Sequence, residues 1–248
     1  MPKPRHLWAA LTLLFPLVTA ADRLNVGLGE LDYPPFYFVE DDELRGAAVE
    51  IAEHVADSLD YDLEYHRFPW ARVQYFLRIG QIDMVILYFK TEERARDVVY
   101  TDAPHLFESS YLAVPKHLNV EFDGDLRDLA DFSFLAVRGY WHGEQFDQAD
   151  YLNKIPVNNE AELLKSLATR RNFIGVGNKP ALSLYAEELG VRDKIRFLTP
   201  PIDRGPNYIA FSKAHPDADT LAAEFTAALE DFMKTEDYRA ILDKYNFD

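Results

Sequence analysis

GQIDMVILYFKTEERARDVVYTDAP, residues 80–104, reads as a strand-to-turn junction suited to an anion. Gly80 stops a preceding helix. The six apolar residues from Met84 to Phe89 have the length and makeup of a strand buried on both faces. Thr91-Glu92-Glu93-Arg94 then places a hydroxyl before acids, the pattern of a helix N-cap. Free backbone N–H groups point outward at a helix start. An arginine just inside it can grip a carboxylate through two parallel bonds. On spacing alone, a solvated surface arginine is the more ordinary reading of Arg94.

Upstream, the order is strand, helix, strand, helix. Residues 24–28 (LNVGL) make a short strand, and 29–35 must loop because Pro34 and Pro35 withhold backbone donors. That loop carries Tyr33, Phe36, Tyr37 and Phe38. Ala48, Ile51, Ala52, Val55, Ala56 and Leu59 share one helical face. Residues 61–66 alternate as a strand does. Pro69-Trp70-Ala71-Arg72 opens a second helix, with proline where its missing N–H costs nothing. This rhythm predicts a parallel sheet with helices on its faces. Ligands of such sheets sit beyond the carboxyl ends of the strands, where the Tyr33, Trp70 and Thr91 turns converge.

Downstream, 106–114 reads as an extended crossing, and 132–137 as a second buried strand running into Arg138-Gly139-Tyr140-Trp141-His142-Gly143. Helix 160–169, strand 173–176, helix 180–189 and strand 195–198 repeat the α/β pattern. Residues 207–211 read as a return crossing, followed by two helices from Pro216 onward.

The order Gly80-x-x-Asp83, apolar strand, Thr91-x-x-Arg94, Thr101-Asp102-x-Pro104 resembles the central signature of the family 3 periplasmic solute-binding proteins. Tyr33-Pro34-Pro35-Phe36, Gly46 before the first helix, Leu126-x-x-Leu129 before a strand ending in Gly139, and the closing helical tail agree in order. The resemblance covers nearly all of the chain after residue 21. It implies an α/β fold of two lobes, each a mostly parallel sheet flanked by helices, joined by a two-strand hinge with ligand trapped between. Lobe one is then 22–107 plus 206–248, and lobe two 108–205.

The same resemblance makes Arg94 the grip for a ligand carboxylate and implies an inner-membrane ABC permease as partner, with no cofactor. Asp83 is expected to cap or turn the chain. Tyr33, Phe36 and Trp70 supply aromatic surface for a ligand, Gly139 lets it approach the backbone, and Trp141 either reaches the cleft or anchors a helix. Three positions depart from the family. Tyr140 stands where a small hydroxyl follows the glycine, and Tyr88 lies in a strand end, Leu87-Tyr88-Phe89, that commonly carries small hydroxyls. Asn178 replaces the aspartate that pairs with an α-ammonium, and a neutral amide supplies no charge. A carboxylate without a free amine therefore fits these residues better than an ordinary amino acid.

The 248 residues carry a formal charge of −16, which excludes nucleic acid or anionic lipid bound by general attraction. With 48% hydrophobic residues there is ample material for a core, and a monomer is expected. Lys3 and Arg5 precede an apolar run from Leu7 to Val18 and small residues near Ala21, the layout of a secretory signal peptide over 1–21. There is no cysteine, so neither lipid attachment nor a disulfide framework is expected, and the mature protein is expected free in the periplasm. Cysteine nucleophiles, Gly-x-Ser-x-Gly and phosphate-binding glycine loops are absent, and the seven histidines lack metal spacing. Of these, His142, in the Trp141 turn, is the one to watch. A non-enzymatic binder is the expectation. A dehydratase or lyase on the same fold, or a receptor presenting ligand to a membrane sensor, is the alternative.

Overall fold

The computed structural model describes residues 22–169 and 172–247. The expected signal peptide lies outside them. In chain order, β1 (Asp22–Gly29), the hairpin β2 (Phe38–Glu40) and β3 (Glu43–Arg45), α1 (Ala47–Ser58), β4 (Tyr61–Phe68), α2 (Trp70–Arg78) and β5 (Met84–Phe89) form the first α/β unit. Short β6 (Val98–Tyr100) follows. The long β7 (Leu106–Pro115) leads into β8 (Ser133–Val137), α3 (Glu144–Asp147), β9 (Asn153–Val157), α4 (Glu160–Thr169), β10 (Phe173–Asn178), α5 (Lys179–Glu188) and β11 (Ile195–Phe197). Then β12 (Asp203–Ser212) returns, and α6 (Ala218–Phe232) and α7 (Glu236–Lys244) close the chain.

One curled sheet runs through the molecule in the order β4-β1-β5-β12-β7-β10-β8-β9. β4, β1 and β5 are parallel, and so are β10, β8 and β9. Between the two parallel sets lie β12 and β7, antiparallel to each other, with Asn207 opposite Leu106 and Asp203 opposite Ser110. β7 starts beside β12 and ends against β10 and β11, while β12 ends against β5 and β6. These two strands are the hinge of a two-lobe α/β fold, and each lobe keeps helices on both faces of its parallel strands.

All six residues of β5 are buried, as a run apolar on both sides requires. Leu24, Val26, Ile51, Val55, Phe211 and Phe225 pack on one side of the first lobe, and Val73, Leu77, Ile82 and Val85 on the other. In the second lobe, Leu112, Phe134 and Ile174 face one layer, and Leu135, Leu163 and Leu182 the other. Gly46 begins α1 at φ +126, and a Cβ there would stand 2.3 Å from the Phe36 carbonyl oxygen, so the Tyr33 loop and α1 meet only over a glycine. Among the described residues, no helix is long and apolar enough to cross a membrane.

The helix expected after Thr91 is shorter than its cap suggests. Thr91 Oγ1 does accept the Arg94 N–H at 3.2 Å, but the turn spans only Arg94–Arg96. The β-branched pair Val98-Val99 takes the chain into β6, which pairs with β12 and ends the helical run.

Candidate ligand-binding cleft

The loops after β1 and β5 and the start of α2 meet at one rim, beyond the carboxyl ends of the parallel strands. Opposite stands the turn after β8, and the two hinge strands form the floor. The space between holds about 390 Å³ not filled by atoms, part of it open to solvent. Tyr33, Tyr37, Trp70, Leu87, Phe89 and Arg94 line it from the first lobe, Tyr140 and Trp141 from the second, and Glu108 and Asn207 from the hinge.

Arg94 is fixed on three sides. Its guanidinium lies over the Tyr88 ring, 4.3 Å from the centroid. Nη1 donates to the Phe89 carbonyl at 3.0 Å, and Nη2 donates across the cleft to the Gly139 carbonyl at 2.9 Å. A guanidinium has five N–H donors in one plane, so these two bonds leave others to present to a ligand. Tyr88 is 4% exposed, and its hydroxyl accepts from Gln74 Nε2 at 3.3 Å. It therefore acts as the platform beneath Arg94 rather than as part of the cleft wall.

The Gly139 carbonyl also accepts from Trp70 Nε1 at 3.3 Å. Gly139 has φ +80, and a Cβ there would lie 2.3 Å from Gln74 Oε1. The left-handed backbone and the close approach of the first lobe both call for glycine. Tyr140 stands edge-on to Tyr33 at 5.8 Å and to Trp70 at 6.0 Å, and Trp141 packs on Phe89 at 4.9 Å. These rings carry the contact between lobes.

Two residues singled out from sequence lie elsewhere. Phe36 is 1% exposed and packs on Tyr33 and Phe247 in the first-lobe core. Asn178 ends β10, and its Oδ1 accepts the Ala181 N–H at 3.1 Å, capping α5. Asp83 has the structural role its position suggested. Its Oδ2 accepts both from the Asn25 backbone N–H and from Asn25 Nδ2, each at 2.8 Å, tying the start of β5 to β1.

Sequence reasoning missed the floor. Glu108 is 5% exposed. Tyr33 Oη donates to its Oε1 at 2.5 Å and Asn207 Nδ2 donates to Oε2 at 3.2 Å. Burial pushes its carboxyl up to about 7, against the lowering effect of those two bonds. Leu106, Glu108 and Ser110 alternate inward along β7. An acid at an inward position of a strand was the available signal. Glu160, at the first residue of α4, is also buried, and burial raises its carboxyl.

His142 is 2% exposed, with Nδ1 3.1 Å from Ser110 Oγ and its backbone N–H donating to Asp147 Oδ2 at 2.7 Å. Burial, with Arg94 nearby, lowers its ring to about 3, so it stays neutral. It braces the Gly139 turn on the hinge. Among the described residues, no group of three or more His, Cys, Asp or Glu side chains could hold a metal ion.

The chain is 25% identical over 240 residues to an arginine-binding periplasmic protein of Mannheimia haemolytica, covering 95% of this chain and 96% of that protein. A histidine kinase sensor domain with similarity to periplasmic binding proteins superposes with a TM-score of 0.76 at 21% identity, over 91% of this chain and 96% of that one. An ancestral amino-acid-binding protein, a precursor of cyclohexadienyl dehydratase, superposes with a TM-score of 0.70 at 21% identity, over 90% of this chain and 95% of that one. The model of the bacterial extracellular solute-binding proteins, family 3, matches residues 24–248, and with the hinge and cleft described above it places this chain in that family.

Proposed function

We propose that this protein is the periplasmic receptor of an ABC importer, and that it closes residues 22–107 with 206–248 against 108–205 on a small carboxylate, an amino acid or a close relative of one. Arg94 carries the reading. Its guanidinium is pinned between two backbone carbonyls, one from each lobe, at the rim of an aromatic cleft. A carboxylate entering there meets planar donors already oriented for two-point recognition, which lowers the ordering cost of binding. Contacts to both lobes favour the shut form, because ligand binds that form better than the open one. The membership in a family of extracellular solute-binding proteins and the amino-acid-binding relative support the same reading.

A thermal-shift screen over amino acids, their derivatives and organic acids identifies ligands by the stability they add. Arg94→Ala should then weaken the best of them by roughly 2–5 kcal/mol, on the order of tens to thousands in affinity. An unchanged affinity removes Arg94 from the site.

A second reading rests on Glu108. A carboxyl held near neutrality in a cleft is matched to proton donation at physiological pH. That suits a dehydratase acting on a carboxylate substrate. Incubation with prephenate or arogenate, followed by ultraviolet detection of an aromatic product, separates the two readings. A turnover product would make the protein an enzyme.

A further inference from the structure

Asn178 is committed to capping α5, so the family's usual acid for a ligand cation has no counterpart at that position. The acid in this cleft stands elsewhere, on the hinge. Glu108 projects from β7 into the floor and lines the same space as Arg94. Its two oxygens are oriented by Tyr33 and Asn207, one from the rim loop and one from the other hinge strand. Each carboxylate oxygen has two acceptor positions, and each of these bonds occupies one. The walls above it are ring faces and edges, Tyr33 and Tyr140 in a T-shaped pair and Trp70 edge-on to Tyr140. Aromatic surface over a buried acid attracts a cation by its quadrupole as well as by charge.

We infer that the ligand bears a cationic nitrogen as well as a carboxylate, and that Glu108 is the residue that selects for that cation. This rests on the assignment of Arg94 to the carboxylate. The cleft then reads a zwitterion end to end: guanidinium for the anion at the rim, carboxylate for the cation at the floor. A carboxylate of the same shape that lacks the cation leaves Glu108 protonated and gains no ion pair from it. The groups facing Glu108 are Tyr33 and Tyr37 from the loop after β1, Tyr140 from the turn after β8, Glu160 from α4, and Arg94 after β5. Of these, Arg94 favours the ionised form and Glu160 opposes it. Because the free protein holds Glu108 partly protonated near pH 7, an arriving cation drives the carboxyl to ionise and release its proton. Affinity for such a ligand therefore rises as pH increases from 6 to 8.

The test uses pairs of compounds differing by the cation: glycine betaine against 3,3-dimethylbutanoate, and α-amino acids, L-arginine among them, against their 2-hydroxy acids. In calorimetry at pH 7, the charged member of the pair that binds should do so roughly tenfold tighter or better. Glu108→Gln should erase that preference, with circular dichroism confirming the fold. Titration of the wild type in two buffers of different ionisation heat should show protons released on binding, and this needs no variant. Equal affinity for charged and neutral members, or a preference that Glu108→Gln leaves intact, overturns the inference. If neutral members bind as well and Arg94→Ala abolishes both, the carboxylate assignment survives and the Glu108 role falls. If agmatine binds as tightly as L-arginine, the carboxylate assignment falls, and Glu108→Gln still decides the cation. Absence of binding by every compound overturns both.

Discussion

Arg94 and Gly139 meet across the cleft, a guanidinium Nη2 on one lobe donating to a backbone carbonyl on the other at 2.9 Å. Trp70 Nε1 shares the same acceptor at 3.3 Å. A single carbonyl is thus the point at which the first lobe's arginine and tryptophan both hold the second lobe. On the function proposed above, ligand capture and lobe closure would share these atoms, so changes at Gly139 should register as binding effects.

Gly139→Ala should hinder closure. The backbone there is left-handed, φ +80, and an added Cβ would fall 2.3 Å from Gln74 Oε1. The Gln74 amide can swing aside, but the backbone cost remains, roughly 1–3 kcal/mol. Small-angle scattering should show a larger radius of gyration than wild type in the presence of ligand, and calorimetry a weaker affinity. A wild-type scattering curve together with wild-type affinity would refute this.

Phe36 and Trp70 should separate in their effects, although both are aromatics near the same loop. Phe36→Ala empties a fully buried site against Tyr33 and Phe247, and should cost roughly 3–5 kcal/mol of stability in urea unfolding. Trp70→Ala removes a partly exposed cleft wall and its bond to Gly139, and should lower affinity by about 2 kcal/mol with a smaller loss of stability. The reverse pattern would place Phe36 in the binding surface.

Asp83→Ala strips the acceptor from two Asn25 donors at once. Donors left unpaired at the β1–β5 junction cost roughly 1–3 kcal/mol. For a chain of this size each kcal/mol lowers Tm by about 2–4 °C. Differential scanning calorimetry reads this directly, and an unchanged Tm would mean the two donors find other partners.

The pH dependence of stability should carry the mark of Glu108. Burial raises its carboxyl to about 7 in the folded protein, above a glutamate's ordinary 4.5. Between those values the unfolded chain gives up the proton while the folded one keeps it, so this group's contribution falls as pH rises through that window. Each unit is worth about 1.4 kcal/mol. Across the window the loss is up to about 3 kcal/mol, before any opposing change elsewhere. His142 opposes it, since its lowered value makes stability rise with pH as the unfolded histidine loses its proton near 6.5. Comparing urea midpoints of wild type and Glu108→Gln from pH 4.5 to 7 isolates the first effect: the variant should lose less, or gain, over that range. Parallel curves would show that the acid titrates normally.

The α/β rhythm was legible because β5 and the helix faces of α1 and α2 are written in apolar spacing, and burial follows spacing. The two crossings at 106–114 and 207–211 were legible as extended runs of the right order. The rim of the cleft, Tyr33, Trp70 and Arg94, was visible because each follows a strand. The floor was not, since Glu108 becomes significant only when Asn207, about a hundred residues away, is brought beside it by β12. Asn178 shows the opposite limit. Its place in the family pattern suggested a ligand contact, while the local sequence Asn178-Lys179-Pro180-Ala181 equally spelled the helix cap that the fold uses. Phe36 looked like a loop aromatic because the prolines beside it mark a turn. That turn folds inward over Gly46, which no local pattern reveals.

The chain passes out of the first lobe on β7 and comes back on β12, with Ser110 directly across from Asp203. The two ends of the intervening segment are therefore one strand spacing apart, about 5 Å. Such a segment is wired like a cassette: its two leads enter side by side. A fluorescent reporter spliced beside either lead would be anchored where the jaws pivot, so its signal would follow occupancy while the rim assigned to the solute stayed untouched.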